Sequence, residues 1–467
     1  MGFDGRVTRL AWDTLLPLDG AGPLHQRLER ALREAIRAGR VPVGSALPPS
    51  RALAEELRCS RWAVTRAYEQ LVAEGYLEAR VGSATRVKWT PPRDGRKTVV
   101  PAAGAAPPRF DLAPGLPDLS AFPRTRWLEA MRAVATEIPA ADLGYPAVPG
   151  YPALRAALAE YLPRCRGAVV TPEDVVITTG VTDGVTQICR GLLTSGVDSI
   201  AVEDPGWTRL RNAVRATGIR VVPIPVDDDG LRVDRLAASG VRAVLVAAAH
   251  QFPLGVVLAP DRRVELVEWA RRVDGIVLED DYDAEFRYDR RPVAVAQGMA
   301  PTRVALLGSL SKTLSPAMGI GWVVLRGPWR GRLPMLAPGP PTLEQAAFAR
   351  FLELGSYDRQ LRRLRYRYRA RRDVLVTALD RQLPGWSVSG AAAGLHLMLN
   401  PPPGVDPGRL AAAAGARGVR LSTLDSYRAR RGGPLGLVLG YGNIADRSIE
   451  PAVAAVAAAA ADIGLRV

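Results

Sequence analysis

The chain has 467 residues, enough for two or three domains, and is 48% hydrophobic and 23% charged, which excludes a disordered chain. No charge-free apolar stretch approaches the roughly 18 residues of a membrane helix, and the N-terminus carries Asp4 and Asp13 with no apolar core, so no signal peptide is expected. Cys59, Cys165 and Cys189 lack metal-ligand spacing and cannot build a disulfide framework, which fits a reducing, cytoplasmic setting and points to no metal. Leu24, Leu28, Leu32 and Ile36 then predict a first helix, ended at Gly39. After a Gly- and Pro-rich loop, Ser50 is expected to cap a second helix that buries Leu53, Ala54 and Leu57. A turn at Arg58-Cys59 leads to Ser60, the expected N-cap of a third helix that buries Val64, Ala67, Tyr68, Leu71 and Val72. Two short strands, Tyr76 to Val81 and Thr85 to Trp89, follow around a Gly82-Ser83-Ala84 tip.

Helix, helix-turn-helix and hairpin in that order spell a winged helix-turn-helix. Residues 1–99 carry 17 basic and 11 acidic side chains. The exposed face near Ser60 carries Arg51, Arg61, Thr65 and Arg66, and the wing carries Ser83, Thr85, Arg86 and Lys88. A recognition helix enters the major groove by its N-terminal end, while basic wing residues meet phosphates, so double-stranded DNA is the expected partner. The strings L-P-P-S-R-A-L-A (47–54), C-S-R-W-A-V-T-R-A-Y (59–68) and L-V-A-E-G-Y-L (71–77) resemble the DNA-binding domain of GntR-type bacterial repressors over residues 18–90. That resemblance implies DNA contact by Arg51, Ser60, Arg61, Thr65 and Gly82. Trp62 stands where the family has a small polar residue.

Residues 91–109 are rich in Pro, Ala and Gly and read as a linker. From residue 110 to 467, short apolar runs alternate with helical patterns: Val175 to Thr179, Ser199 to Val202, Ala243 to Ala247, Gly275 to Glu279, Arg303 to Leu307 and Gly321 to Leu325. This predicts an α/β domain, a mostly parallel sheet with helices on both faces, whose ligand sits at the C-terminal strand ends. Three such ends carry Thr179-Gly180, Glu279-Asp280-Asp281-Tyr282 and Ser309-Leu310-Ser311-Lys312.

Of the 62 basic residues only Lys88, Lys97 and Lys312 are lysines, so Lys312 is the last and lone lysine of the large domain. Lysine condenses with an aldehyde; arginine stays protonated and does not. A pyridoxal cofactor needs such an amine, a carboxylate for its pyridine nitrogen, a hydroxyl near its phenolic oxygen and a phosphate cradle at a helix N-terminus. Lys312, Asp280, Tyr282 and the backbone after Gly180 supply these in turn.

The strings D-L-G-Y-P-A-V-P-G-Y-P-A-L-R (142–155), E-D-P-G-W (203–207), H-Q-F-P-L-G (250–255), E-D-D-Y-D-A-E-F-R-Y (279–288) and G-S-L-S-K-T-L-S-P (308–316) resemble the fold-type I aminotransferase domain, which carries a smaller α+β subdomain. Joined to the winged helix, the whole resembles the MocR/GabR-type subfamily of GntR regulators. The resemblance implies pyridoxal 5'-phosphate as cofactor, with Lys312 as its Schiff-base lysine and Asp280 on the pyridine nitrogen. It implies Tyr282 at the phenolic oxygen, Trp207 stacked on the ring, Ser309 at the phosphate with Gly180, Val181 and Thr182, and Gln251 in the flanking loop. Tyr145 would reach the phosphate of a partner subunit in a head-to-tail homodimer.

Departures accompany the match. The family's phosphate-holding arginine, seven residues after the lysine, is Gly319 here, and the arginine expected on a substrate carboxylate is Val438. Asp183 in the first helical turn is expected to repel a phosphate dianion. Weakened cofactor affinity follows, with Arg209 left as an anion partner for the effector. The leading expectation is a transcription regulator that senses the cofactor or a small amine or amino-acid-like effector, on an operator with repeated half-sites. The alternatives are a working aminotransferase with a fused DNA-binding module, and a cofactor-free scaffold. A helix from Arg359 to Arg372 with eight arginines is either a solvated face or an auxiliary contact to DNA backbone.

Overall fold

This computed structural model describes Trp12 and residues 16–80, 83–89, 107–289, 293–335, 337–430 and 432–464. The chain divides into two compact units, Met1–Ala105 and Ala106–Val467. Gly82 and most of the Pro-rich segment lie outside the described residues.

In the first unit, α1 (Leu24–Arg37) buries Leu28, Ala31, Leu32, Ala35 and Ile36. Helix α2 (Ser50–Glu56) starts on Ser50 itself; Pro49 takes the N-cap place and no side chain caps the helix. The expected Ser50 cap is thus corrected: a fixed proline φ sets the entry angle instead. Helix α3 (Arg61–Ala73) does begin on a Ser60 cap, whose Oγ accepts from Ala63 N–H at 3.2 Å. The hairpin is shorter than expected, β1 (Leu77–Glu78) paired with β2 (Arg86–Val87), with Leu77 opposite Val87. Trp12 and Leu16 also join this core, an addition that periodicity from residue 24 onward did not predict.

The second unit is built on an eight-stranded sheet. Its strands are β3 (Val175–Thr178), β4 (Ser199–Asp204), β5 (Arg220–Asp227), β6 (Gly230–Leu231), β7 (Ala243–Val246), β8 (Ile276–Asp280), β9 (Val304–Ser309) and β10 (Gly321–Val324). Their order across the sheet is β3-β10-β9-β8-β7-β4-β5-β6. Strands β9, β8, β7, β4 and β5 run parallel, while β10 is antiparallel to both its neighbours and β6 folds back on β5. The six expected strands are all present. The two missed ones are β5, which contains two prolines and is only partly buried, so that it lacks the continuous apolar run that marks the others, and β6, which is two residues long. Register places Ser309 opposite Gly321 and Gly321 opposite Thr178, so Thr178, Asp280 and Ser309 end at one edge.

A second sheet of four antiparallel strands, β11 (Ser387–Ser389), β12 (His396–Asn400), β13 (Ser422–Thr423) and β14 (Leu437–Gly440), has the order β11-β12-β14-β13. It brings His396 to the large sheet's ligand edge. The arginine-rich segment lies inside one helix, Ser356–Gln382. Arg371, 2% exposed at its side chain, pairs with Asp118 and Asp446, Arg367 pairs with the same two acids, and Arg365 donates to the Glu285 carbonyl. These three arginines are internal scaffolding, while Arg359, Arg362, Arg363 and Arg369 remain exposed.

Candidate cofactor and effector site

The edge that collects Thr178, Asp280 and Ser309 opens into a cavity of about 540 Å³. Lys312 sits in the turn after β9, lines the cavity and donates to the Gly115 carbonyl at 2.6 Å. Its Nζ lies 5.6 Å from the centre of the Trp207 ring. Burial lowers its pKa, Arg209 adds to that effect, and Asp280 and Asp283 oppose it. An amine with a lowered pKa is the nucleophilic form closer to hand at neutral pH.

Asp280 ends β8 at the cavity wall. Burial first, then Asp281, pushes its carboxyl up to about 7, against the pull of Lys312. Its Oδ1 is buried and has no hydrogen-bond partner. A buried polar atom without a partner is costly, and a donor brought by a ligand removes the cost. A protonated ring nitrogen has this complement, so the residues fit the pyridine end of pyridoxal phosphate.

The turn expected at the phosphate is Gly180 with the helix α4 (Val181–Thr194). Gly180, at φ +131°, lets the chain enter the helix so that Val181 and Thr182 face the cavity beside Ser309 and Ser311. Asp183 is corrected. Its carboxylate turns back to accept from Thr179 N–H at 3.0 Å and from Gln187 Nε2 at 3.1 Å, and it does not line the cavity. It acts as a tie across the first turn. Gly319 occupies the left-handed region (φ 56°, ψ 32°), and a Cβ there would meet nothing within 4 Å. Gly319→Arg gains a charge-assisted bond worth about 1.5–3 kcal/mol and incurs a backbone cost of roughly 1–2 kcal/mol. The backbone cost falls on the fold with and without cofactor, so we expect cofactor affinity to tighten by roughly tenfold to a hundredfold in a spectrophotometric titration; unchanged or weaker binding would show that the phosphate does not approach this turn.

Trp207 precedes α5 (Thr208–Ala216) and forms one wall, edge-on to Phe252 at 4.8 Å and parallel to Tyr427 at 6.1 Å. Gln251 is a correction: it is 1% exposed and does not line the cavity. Its amide donates to the Pro205 and Phe252 carbonyls and accepts from Leu254 N–H, so it shapes the loop that presents Phe252. Arg209 is exposed and lines the cavity, and its guanidinium has no hydrogen bond or ion pair among the described residues. Arg211, also on the wall, is tied to the Tyr427 and Arg428 carbonyls and Thr208. Val438 is fully buried on β14 beside Phe252, Met398 and Leu424, leaving no cation there. Tyr145 is fully exposed.

Reasoning from strand ends missed a cluster beside Tyr282, two of whose members, Asp283 and His396, also line the cavity. The Tyr282 hydroxyl is 3.3 Å from His250 Nδ1, which is 3.0 and 3.1 Å from the two oxygens of Asp283. His250, Asp283 and His396 are all buried, with ligand atoms within 4.8 Å of one another. Glu203, another cavity acid, is pushed up to about 8 by burial and accepts from Ala247 N–H at 3.1 Å. The available signal was composition: with three histidines in the chain, two sharing one buried corner is informative.

In the DNA-binding unit, Arg51, Arg61 and Trp62 are exposed at the helix-turn-helix. Arg61 Nε reaches Ser50 Oγ at 3.4 Å, Thr65 Oγ1 donates to the Arg61 carbonyl at 3.0 Å and Arg66 pairs with Glu69 at 3.1 Å. Arg86 on β2 donates to the Gly44 carbonyl at 2.9 Å with its guanidinium still exposed. Thr65 thus has its proton engaged within the helix, and Arg51 and Arg61 are the side chains best placed to reach outward.

Residues 24–87 match the family "Bacterial regulatory proteins, gntR family" and residues 111–414 match "Aminotransferase class I and II". The chain is 32% identical to the "Probable rhizopine catabolism regulatory protein MocR" of Rhizobium meliloti, over 94% of each chain. It is 32% identical to the pyridoxine biosynthesis transcriptional regulator PdxR of Corynebacterium glutamicum, covering 89% of this chain and 91% of that one. Among solved structures, a multiple substrate aminotransferase from Thermococcus profundus superposes with a TM-score of 0.69 at 25% identity, over 78% of this chain and 94% of that chain. The kynurenine aminotransferase of Pyrococcus horikoshii gives 0.68 at 25% identity, over 76% and 91%. With a GntR unit followed by an aminotransferase fold whose cavity fits pyridoxal phosphate, the chain belongs to the MocR/GabR-type subfamily of GntR transcriptional regulators.

Proposed function

We propose that this regulator works in the cytoplasm as a head-to-tail homodimer on an operator with repeated half-sites, and that a small amine or amino-acid-like effector enters the cavity described above. Residues 18–90 form the DNA reader, residues 91–109 the linker and residues 110–467 the sensor. Twofold symmetry of the dimer is what makes repeated half-sites the expected target. When bound, pyridoxal phosphate supplies an aldehyde that condenses with primary amines. The observation that carries the reading is the pairing of Lys312, an amine with a lowered pKa, with the partnerless Asp280 Oδ1 in one cavity.

In this reading Lys312 anchors the cofactor, Asp280 holds its ring nitrogen and Trp207 packs on the ring. Ser309 and the N–H groups after Gly180 hold the phosphate, and Tyr145 of the partner subunit reaches the same phosphate. Arg209 is the free guanidinium on the wall and meets the anionic part of an effector. A single free clamp orients a carboxylate less firmly than two, so fast turnover as an aminotransferase is not expected. Gel shifts on DNA flanking the gene, with and without cofactor and primary amines, test the reading; the absence of any salt-sensitive shift overturns it.

Arg61→Ala should weaken operator binding by about 1–3 kcal/mol if the guanidinium reads a guanine edge. Arg86→Ala in the wing should weaken all sequences alike and flatten the dependence on salt. A titration series at several salt concentrations separates the two; unchanged affinity and specificity in Arg61→Ala would misplace the recognition helix.

A further inference from the structure

The Tyr282 hydroxyl has two buried polar neighbours beside it, of which Asp283 also lines the cavity. His250 Nδ1 lies 3.3 Å away, and Asp283 spans that same nitrogen with both oxygens at 3.0 and 3.1 Å. The histidine and aspartate side chains are buried, 2% and 1% exposed, and Tyr282 is half-buried. One ring nitrogen carries at most one proton. Facing a carboxylate, Nδ1 holds that proton and donates it to Asp283. It then has no lone pair to accept from Tyr282, and among the described residues no hydrogen bond joins the Tyr282 hydroxyl to Asp283.

We propose that His250, held by Asp283, is a positioning residue: it turns the Tyr282 hydroxyl proton away from the cluster and into the cavity, where Tyr282 serves as hydrogen-bond donor to the cofactor's phenolic oxygen. This rests on the reading of the cavity as a pyridoxal phosphate site. The second ring nitrogen, His250 Nε2, is buried and has no partner, so His250 has no other acceptor that would draw the proton off Nδ1. The corner is closed against rearrangement. Gly394, at φ +68°, leaves no room for a Cβ, which would lie 2.1 Å from His250 Cε1 and 2.4 Å from an Asp283 oxygen. Tyr282 itself stays protonated, because burial and the charges of Asp283, Asp280 and Glu203 raise its pKa well above the usual value, with Tyr441 also facing it. A group that stays neutral yet points its proton outward is a fixed donor.

A donor to an anionic oxygen favours the deprotonated state of the group it serves. The proton shared between the Lys312–cofactor linkage and the phenolic oxygen is therefore released at lower pH when Tyr282 points into the cavity. The readout is the pH midpoint of the visible absorption band of the cofactor-loaded, full-length protein. Other charges facing this point are Asp280, Asp283 and Arg209 around Lys312, and His396 beside His250; all remain in place in the variants below.

His250→Ala should raise the midpoint by about one pH unit, a tenfold change in proton affinity, matching the rise in Tyr282→Phe. His250→Asn keeps an N–H near the Nδ1 position and should titrate like the natural protein. The double variant His250→Ala/Tyr282→Phe should shift no further than Tyr282→Phe alone, since both remove one donor. His250→Leu, closer in volume, replaces the alanine variant if the cavity it leaves unfolds the protein. A midpoint unchanged in the alanine or leucine variant, or additive shifts in the double variant, overturns the proposal. Absence of any visible band in the natural protein would instead overturn the cofactor reading, so the two failures are distinguishable.

Discussion

Lys312→Ala should abolish the visible band formed with pyridoxal phosphate and its bleaching by borohydride, while operator binding by the protein without cofactor persists. Lys312 is the lone lysine of the second unit, and its amine is the one lining the cavity. Lys88 and Lys97 belong to the other compact unit. The substitution removes a buried cation whose pKa is lowered by that burial, so it relieves a desolvation cost in exchange for one bond to the Gly115 carbonyl. The fold is therefore expected to survive, which thermal denaturation checks alongside the spectrum. The effector's influence on DNA binding should vanish with the band. A band that persists in Lys312→Ala would sink the assignment of this amine as the anchor.

The parts of this site that were legible in the sequence share one physical trait. Lys312, Asp280, Tyr282 and the Gly180 turn all follow strands whose apolar runs are continuous, and a parallel sheet delivers such residues to one edge. The winged helix was legible for a similar reason, since each helix carries a 3.6-residue stripe and a cap or proline at its start. What was not legible depends on side-chain direction. Asp183 was expected to oppose a phosphate, yet it turns to Thr179 and Gln187; Gln251 was expected at the cofactor, yet it braces its own loop. His250, Asp283 and His396 meet only because β12 of the second sheet is brought to the loop after β7, a contact of more than a hundred residues' separation between His250 and His396. The arginines of the long helix looked like an exposed stripe, but Arg367 and Arg371 close onto Asp118 and Asp446 from distant segments.

Asp280→Asn should weaken cofactor binding and, at alkaline pH, strengthen the cofactor-free fold. In the natural protein this carboxyl is pushed from 3.8 to about 7 by burial and by Asp281. A carboxyl whose folded pKa is raised binds its proton more tightly in the folded state than in the unfolded one. Its stabilising effect is thus complete below about pH 4 and is lost as pH rises towards 7, a difference of roughly 4 kcal/mol at the upper end. Asparagine has no charge to desolvate, so the variant without cofactor should denature at a higher temperature than the natural protein at pH 8 and at nearly the same temperature at pH 4. Glu203, Glu279 and Glu285 are raised by burial too, but they are present in both proteins and largely cancel from the comparison. Cofactor reverses the order. A protonated ring nitrogen would meet the partnerless Oδ1, and that ionic hydrogen bond would be absent in the variant; a loss of about 1.5–3 kcal/mol corresponds to a fall in affinity of roughly tenfold to a hundredfold. The cofactor should therefore raise the denaturation temperature of the natural protein more than that of the variant, and more at pH 8 than at pH 5. Equal stability of the two cofactor-free proteins at pH 8 would show that the carboxyl is not held at a cost. Equal cofactor affinity would show that the ring nitrogen lies elsewhere. The expected pattern is that of a site whose strain is relieved by its ligand, with the same oxygen lacking a partner in one state and charged in the other.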